Sequence, residues 1–273
     1  MLSIKNMTAN RRWIPILIVA FTAVFRLWFL TIKPPHFDEG VNGWFLDEMA
    51  RQGYYQYDPA NYHGPLHFYI LFLFKVLLGR NLWALRLPVV IVSTATVWLV
   101  TLFDRFIDRR TCWLAALAMA VSPGAEFYGR YAIHEPEMVF FLILLVWGAL
   151  GIKRFGTSGY LWAATLGFTG MILTKETYVI HITAFLLAIP SLLILERFLP
   201  SSEPQSPPPK PYPFEDLCLV GAVSAGLIIF FYSGTFLNFP GLKGIYSTFG
   251  EWAKTGKEGH GHEKRITISL WCR

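Results

Sequence analysis

The sequence predicts an all-α fold, a polytopic membrane protein of about seven transmembrane helices with amphipathic interfacial helices in its first outer loop. Three observations carry this. Of 273 residues, 54% are hydrophobic and 16% aromatic, and the mean hydropathy is +0.42, too apolar for a soluble domain of this size. The apolar residues fall in long blocks. Arg and Lys gather in the short connections between blocks, where they orient spans, so the formal charge of +6 does not point to nucleic acid.

Taken in order, the first block covers residues 13–32 and follows Arg11 and Arg12. It is too long for a signal-peptide core, contains Arg26 and is followed by no small-residue cleavage site, so it reads as an uncleaved anchor. Arg26 near its outer end is expected to reach the interface, avoiding the roughly 2.5–3.5 kcal/mol assigned to a charge at a span centre. The outer loop 33–84 opens with a surface helix over 41–52, where Trp44, Phe45 and Met49 recur at helical spacing and Asp47 and Glu48 form a solvated face. The block 66–78 carries His67 and Lys75. At about 1.5 Å per residue it reaches roughly 20 Å against a core of about 30 Å, so it reads as an interfacial helix closed by Gly79.

Spans follow at 85–103, 112–128, 138–152, 160–174, 178–195 and 217–236; the second of these is imperfect, with Pro123 and Glu126 in its later half. Loop charge sets the topology. With 66–78 on the surface, Arg11, Arg12, Arg105, Arg109, Arg110, Lys153, Arg154 and Arg197 share one side. That gives a cytoplasmic N-terminus in the cell membrane and puts Asp38, Glu39, Glu135 and Lys175 on the extracytoplasmic face. Residues 199–213 form a cytoplasmic Pro-rich tether, too rich in proline to be helical throughout. The core is thus 1–236, and 237–273 is an outer loop. Cys112, Cys218 and Cys272 are an odd set that indicates no disulfide framework.

Two outer segments can carry chemistry. In Pro34-Pro35-His36-Phe37-Asp38-Glu39-Gly40, two adjacent acids follow the first span. They either cap a helix or act on a substrate at the interface. A partly dehydrated carboxylate there can serve as general base toward a sugar or lipid hydroxyl, and an acid pair can hold a divalent cation beside a phosphate. The second segment runs from Ser122-Pro123 to Arg130 and His134-Glu135-Pro136-Glu137. The Arg130 fork can hold two phosphate oxygens, and Glu135 shares a face with the first acid pair. Lys175-Glu176 is either a charged turn or a lipid-phosphate contact. His63, in the turn His63-Gly64-Pro65, is a candidate phosphate partner, and Lys75 and His36 complete the substrate-binding set. Gly259-His260-Gly261-His262-Glu263-Lys264 fits no specific zinc spacing and reads as a flexible loop. The sequon Asn6-Met7-Thr8 falls on the cytoplasmic side.

Several short runs in fixed order carry a family resemblance over residues 13–180: Phe37-Asp38-Glu39-Gly40, His63-Gly64-Pro65-Leu66-His67-Phe68-Tyr69, Leu78-Gly79, Ala84-Leu85-Arg86-Leu87-Pro88, Ser122-Pro123 with Arg130 and Glu135, and Thr174-Lys175. The chain resembles the GT-C superfamily of membrane glycosyltransferases, in its protein mannosyltransferase and aminoarabinose transferase group, and within it the flippase activity-associated proteins. The resemblance implies inverting glycosyl transfer from a polyprenyl-phosphate sugar to a lipid or protein acceptor on the extracytoplasmic face. It makes Asp38 the catalytic base, Glu39 its neighbour and Glu135 the second loop acid. Two positions depart from the superfamily: Glu135 is often Asp there, and a basic residue often precedes the proline where this chain has Gly64. Members usually run on through further spans, so a C-terminally truncated chain is also expected. The alternative is a lipid-linked-sugar flippase or its accessory, which would need polar groups toward mid-membrane, where this sequence has chiefly His181.

Overall fold

The computed structural model describes residues 13–61, 63–198 and 211–258. Its helices, in chain order, are α1 Trp13–Leu27, α2 Phe37–Gln52, α3 Leu66–Leu78, α4 Leu82–Thr101, α5 Arg109–Val121, α6 Pro123–Tyr128, α7 Glu135–Phe155, α8 Ser158–Thr174, α9 Tyr178–Phe198, α10 Phe214–Tyr232 and α11 Gly244–Glu258. Strand pairing among the described residues is limited to one antiparallel bridge between His63 and Lys175.

The molecule is a polytopic helical membrane protein. Leu82–Arg105, Glu135–Phe155 and Phe214–Tyr232 are long and apolar enough to cross a bilayer; Trp13–Leu27, Leu66–Leu78 and Tyr178–Leu192 are apolar but shorter. Three predicted elements change on folding. The first block leaves the helix after Leu27, and Phe29 takes a left-handed φ of 49°. The block 112–128 breaks into α5 and α6 because Ser122 is extended, with ψ 124°, as the residue before Pro123 must be. The region from 237 is partly helical rather than a loop, since α11 docks on the turn Pro59–Asn61 through Thr248 Oγ1, which donates to the Pro59 carbonyl at 3.2 Å. The Cys112 thiol is buried and Cys218 is exposed, both unpaired. The His260–His262 segment, Cys272, Asn6 and most of the tether lie outside the described residues.

Glycine fixes the tightest contact in the bundle. A Cβ on Gly148 would lie 2.3 Å from the Ala164 nitrogen, and one on Gly167 2.5 Å from the Leu145 nitrogen, while Gly151 and Gly170 receive the rings of Tyr160 and Phe141. Small residues at these positions let α7 and α8 approach backbone to backbone, the usual way helices associate where lipid competes for apolar surface. Since α7 begins at Glu135 and α8 ends at Thr174, the contact holds residue 135 beside residue 175.

The two ends of the bundle differ in chemistry. At one end Arg105 Nη1 donates to the Tyr160 hydroxyl at 3.1 Å, Arg154 Nη1 to the Phe106 carbonyl at 3.2 Å, and Ser158 to Asp216 at 2.6 Å. At the other, the α2 region, the 129–135 turn and the 174–177 turn close over a core of Leu46, Met49, Tyr55, Tyr57, Phe68, Leu71, Ala132 and Tyr232.

Candidate functional site

The adjacent acids sit at the start of α2, and the helix separates them. His36 is the N-cap: its Nδ1 accepts from the Asp38 nitrogen at 3.3 Å, while Glu39 Oε2 accepts from the His36 nitrogen at 2.9 Å, a reciprocal cap. Neighbouring positions on a helix diverge by about 100°, so Glu39 turns inward, 1% exposed, and the Asp38 side chain stays 57% exposed. The contact that Asp38 makes is with His36, at 3.4 Å.

Glu39 is fully engaged. Arg86 Nε donates to its Oε1 and Nη2 to its Oε2, both at 2.8 Å, and the Ala132 nitrogen donates to Oε1 at 3.0 Å. Arg86, 1% exposed, also donates to the carbonyls of Leu30, Lys33 and Pro34 at 2.7, 3.1 and 3.0 Å, and lies over the Tyr131 ring at 4.8 Å. One ion pair therefore ties the end of the first apolar segment, α2, α4 and the 131–132 turn together. The planar fork that makes this possible is specific to Arg.

A second buried chain runs alongside. Asn42 Nδ2 donates to the Ala132 carbonyl at 2.6 Å and approaches His67 Nε2 at 3.4 Å; His67 Nδ1 donates to Glu137 Oε1 at 2.9 Å. The His134 ring packs on His67 and His63 with centroids 4.0 and 4.2 Å apart. Burial, with the nearby His67, His63 and Lys175, pushes the His134 imidazole well below its ordinary range. On the far side of this cluster His63 pairs with Lys175, and the Gly64 nitrogen donates to the Thr174 carbonyl at 3.0 Å. A Cβ on Gly64 would lie 2.2 Å from the Leu173 oxygen. The departure noted at this position is therefore steric: no larger side chain, basic or otherwise, fits so close to the end of α8.

The candidate phosphate-binding cations are already paired. Lys175 Nζ donates to Glu135 Oε1 at 2.6 Å. Lys75 donates to Asp47 at 2.6 Å and to the Leu46 carbonyl at 3.0 Å, and Arg80 donates to the same Asp47. Asp47 is thus an ion-pair centre rather than a plain solvated position, and hydrogen bonds from Arg80 and Lys75 pull its carboxyl down to about 2. Arg130 donates to Glu126 through Nη1 and to the Trp28 carbonyl through Nη2, so both of its terminal nitrogens are engaged.

Of the hollows at this end, two have the candidate residues in their walls. One of about 400 Å³ is lined by Pro35, Glu39, Gly40, Gly43, Lys75 and Arg80 among others. The second, about 190 Å³, lies between α1, α4, α6 and α7 and has Arg26 and Glu135 in its wall. Arg26 does not reach the interface as expected: it is 1% exposed and turned into the protein. Among the described residues no group of three or more His, Cys, Asp or Glu is placed to hold a metal ion. With Glu39 engaged by Arg86, the acid pair offers one carboxylate to a divalent cation, not two.

Sequence reasoning passed over Asn42, His134 and Glu137 as functional groups and read Arg86 and His67 only as parts of motifs. The signal was present: an ionisable side chain at the mouth of an apolar span faces the protein interior and needs a partner.

Apolar spanning helices that end in a polar, ion-paired platform define a polytopic helical membrane protein. The profile of the dolichyl-phosphate-mannose-protein mannosyltransferase family matches residues 62–205, just over half of the chain, and the chain belongs to that family, within the GT-C superfamily. Its fold is similar to that of ArnT from Cupriavidus metallidurans, solved bound to undecaprenyl phosphate: 18% identity and a TM-score of 0.61 over 90% of this chain and 44% of that one. The chain thus spans less than half the length of that structure. No curated protein matches the sequence.

Proposed function

We propose that the chain is the catalytic part of a membrane glycosyltransferase that moves a sugar from a polyprenyl-phosphate donor to a lipid or protein hydroxyl on the extracytoplasmic face of the cell membrane, with inversion. The observation that carries this reading is the division of labour between the adjacent acids. Arg86 and the Ala132 amide hold Glu39 as a fixed support, and the helix cap holds Asp38 in place with its carboxylate facing out.

In this reading Asp38 takes the proton of the acceptor hydroxyl as its oxygen forms the new bond to the anomeric carbon. The bond to phosphate breaks on the opposite face, and the lipid phosphate leaves with the electron pair. A carboxylate at 57% exposure is open to an incoming acceptor. Glu135 and Lys175 lie at the same end of the bundle, where Lys175 can exchange its carboxylate partner for the leaving phosphate; His63 is paired beside Lys175, and His36 caps the helix that carries Asp38. Lys75 would serve the wider hollow. The family to which the chain belongs and the undecaprenyl phosphate in the ArnT structure support a donor of this kind. Neither favours a flippase without transfer chemistry.

The test is transfer from a polyprenyl-phosphate sugar by the purified chain in liposomes. Asp38→Asn, which removes the base at nearly constant volume, is expected to lose transfer by a factor of about 10² to 10⁴. Near-normal transfer in that variant would remove Asp38 from the mechanism.

A further inference from the structure

Arg26 stands apart from the other cations at this end of the bundle. Arg86, Lys175, Lys75 and Arg130 each have a carboxylate partner, whereas Arg26 Nε and Nη1 are buried with no hydrogen-bond partner among the described residues. A guanidinium enclosed in a membrane protein without partners is costly, more so than in a soluble one, because no bulk water stands ready to replace them.

The cavity beside it supplies the rest of the argument. Arg26 lines the hollow of about 190 Å³ together with Ser93, Thr96, Met119, Glu135 and Val139. The hydroxyls are already used: Ser93 donates toward the Gly129 carbonyl at 3.0 Å and Thr96 to the Val92 carbonyl at 2.9 Å. Glu135, the acid in the wall, is balanced by Lys175 at 2.6 Å. The nearby Glu126 is matched by Arg130. What remains is one uncommitted cation at the edge of an otherwise apolar hollow, a shape that suits an anion attached to hydrocarbon better than a free ion.

We infer that this hollow binds the phosphate of a lipid, with the Arg26 guanidinium donating to its oxygens and the first carbons of the chain lying against Met119 and Val139. The site does not depend on the transfer reaction proposed above, and it can hold or fail on its own. The lipid is either a polyprenyl phosphate or an anionic phospholipid of the bilayer; both present a phosphate oxygen pair on an apolar chain.

The experiment measures the thermal unfolding of the purified chain in neutral detergent with added polyprenyl phosphate, phosphatidylglycerol or inorganic phosphate. Arg26→Met keeps the apolar bulk and removes the fork. Gly124→Leu fills the hollow and leaves Arg26 in place, since a Cβ there meets nothing within 4 Å. The wild type is expected to be stabilised by one of the two lipids and not by inorganic phosphate. Both variants should need at least about tenfold more of that lipid for the same shift, the usual loss for a charge-assisted contact. Without lipid, Arg26→Met should unfold at or above the wild-type temperature, because it removes an unsatisfied charge. Which lipid acts identifies the source. A lipid shift undiminished in either variant, no shift with either lipid, or a full shift with inorganic phosphate alone would overturn the inference; should Arg26→Met fail to fold, Gly124→Leu decides it.

Discussion

Glu39 and Arg86 meet through two hydrogen bonds of 2.8 Å, both side chains sealed from solvent, although they lie 47 positions apart in the chain. In the function proposed above, the pair is a support that anchors the start of α2, the helix that carries Asp38. Arg86→Met is expected to cost about 3–5 kcal/mol, because it strands a buried carboxylate, while Arg86→Met with Glu39→Leu should recover much of that loss. Chemical denaturation in detergent measures both. Equal and additive losses for the two positions would show that the pair is not a unit.

Glycine at position 64 is a packing requirement. Gly64→Ala should lower stability by about 1–3 kcal/mol, since its Cβ would press on the Leu173 carbonyl. Gly40→Ala, in α2 where the space is open, should be neutral or stabilise by up to about 1 kcal/mol. The comparison needs only thermal melts, and a destabilised Gly40→Ala beside an unaffected Gly64→Ala would contradict the packing described.

Acidification should weaken the fold through His134. Its folded-state affinity for a proton is well below that of an ordinary imidazole because it is buried against His67 and His63. The unfolded chain therefore binds the proton first, and stability falls as pH drops below about 6.5. Denaturant midpoints recorded from pH 7.5 to 5 should decline in the wild type and flatten in His134→Asn; equal slopes in the two proteins would exclude His134 as the source.

Glu176 gives the opposite sign. It is buried, accepts from the Tyr57 hydroxyl at 2.8 Å, and burial pushes its carboxyl upward. The folded state keeps this proton to higher pH than the unfolded one, so stability decreases as pH rises from the ordinary carboxyl range through the raised folded value. In Glu176→Gln that decline should disappear, as read from denaturant midpoints recorded upward from about pH 4.

The close helix pair is the last point open to measurement. Gly148→Leu should force α7 from α8 and carry Glu135 away from Lys175, since even a Cβ there would lie 2.3 Å from the Ala164 nitrogen. A cysteine pair at positions 135 and 175 should crosslink readily in the parent and slowly in the Gly148→Leu background. Equal crosslinking would show that the glycines do not set this distance.

The sequence by itself determined the class and most of the helices. Block hydropathy and Arg placement depend only on which residues are apolar or charged, so the polytopic α fold, the helix closed by Gly79 and the grouping of Asp38 with Glu135 and Lys175 at one end were legible. Partnership was decided only in three dimensions. Asp38 and Glu39 are equivalent as letters, but a helix sends adjacent side chains in different directions, and only the approach of α4 made Glu39 the support. The same holds for the cations: Arg130 and Arg26 carry identical groups, yet Glu126, one turn before Arg130, occupies the first, while the second was folded inward with its Nε and Nη1 unpartnered among the described residues. Composition counts charges, but the satisfaction of each one depends on a geometry that exists only after the helices have packed.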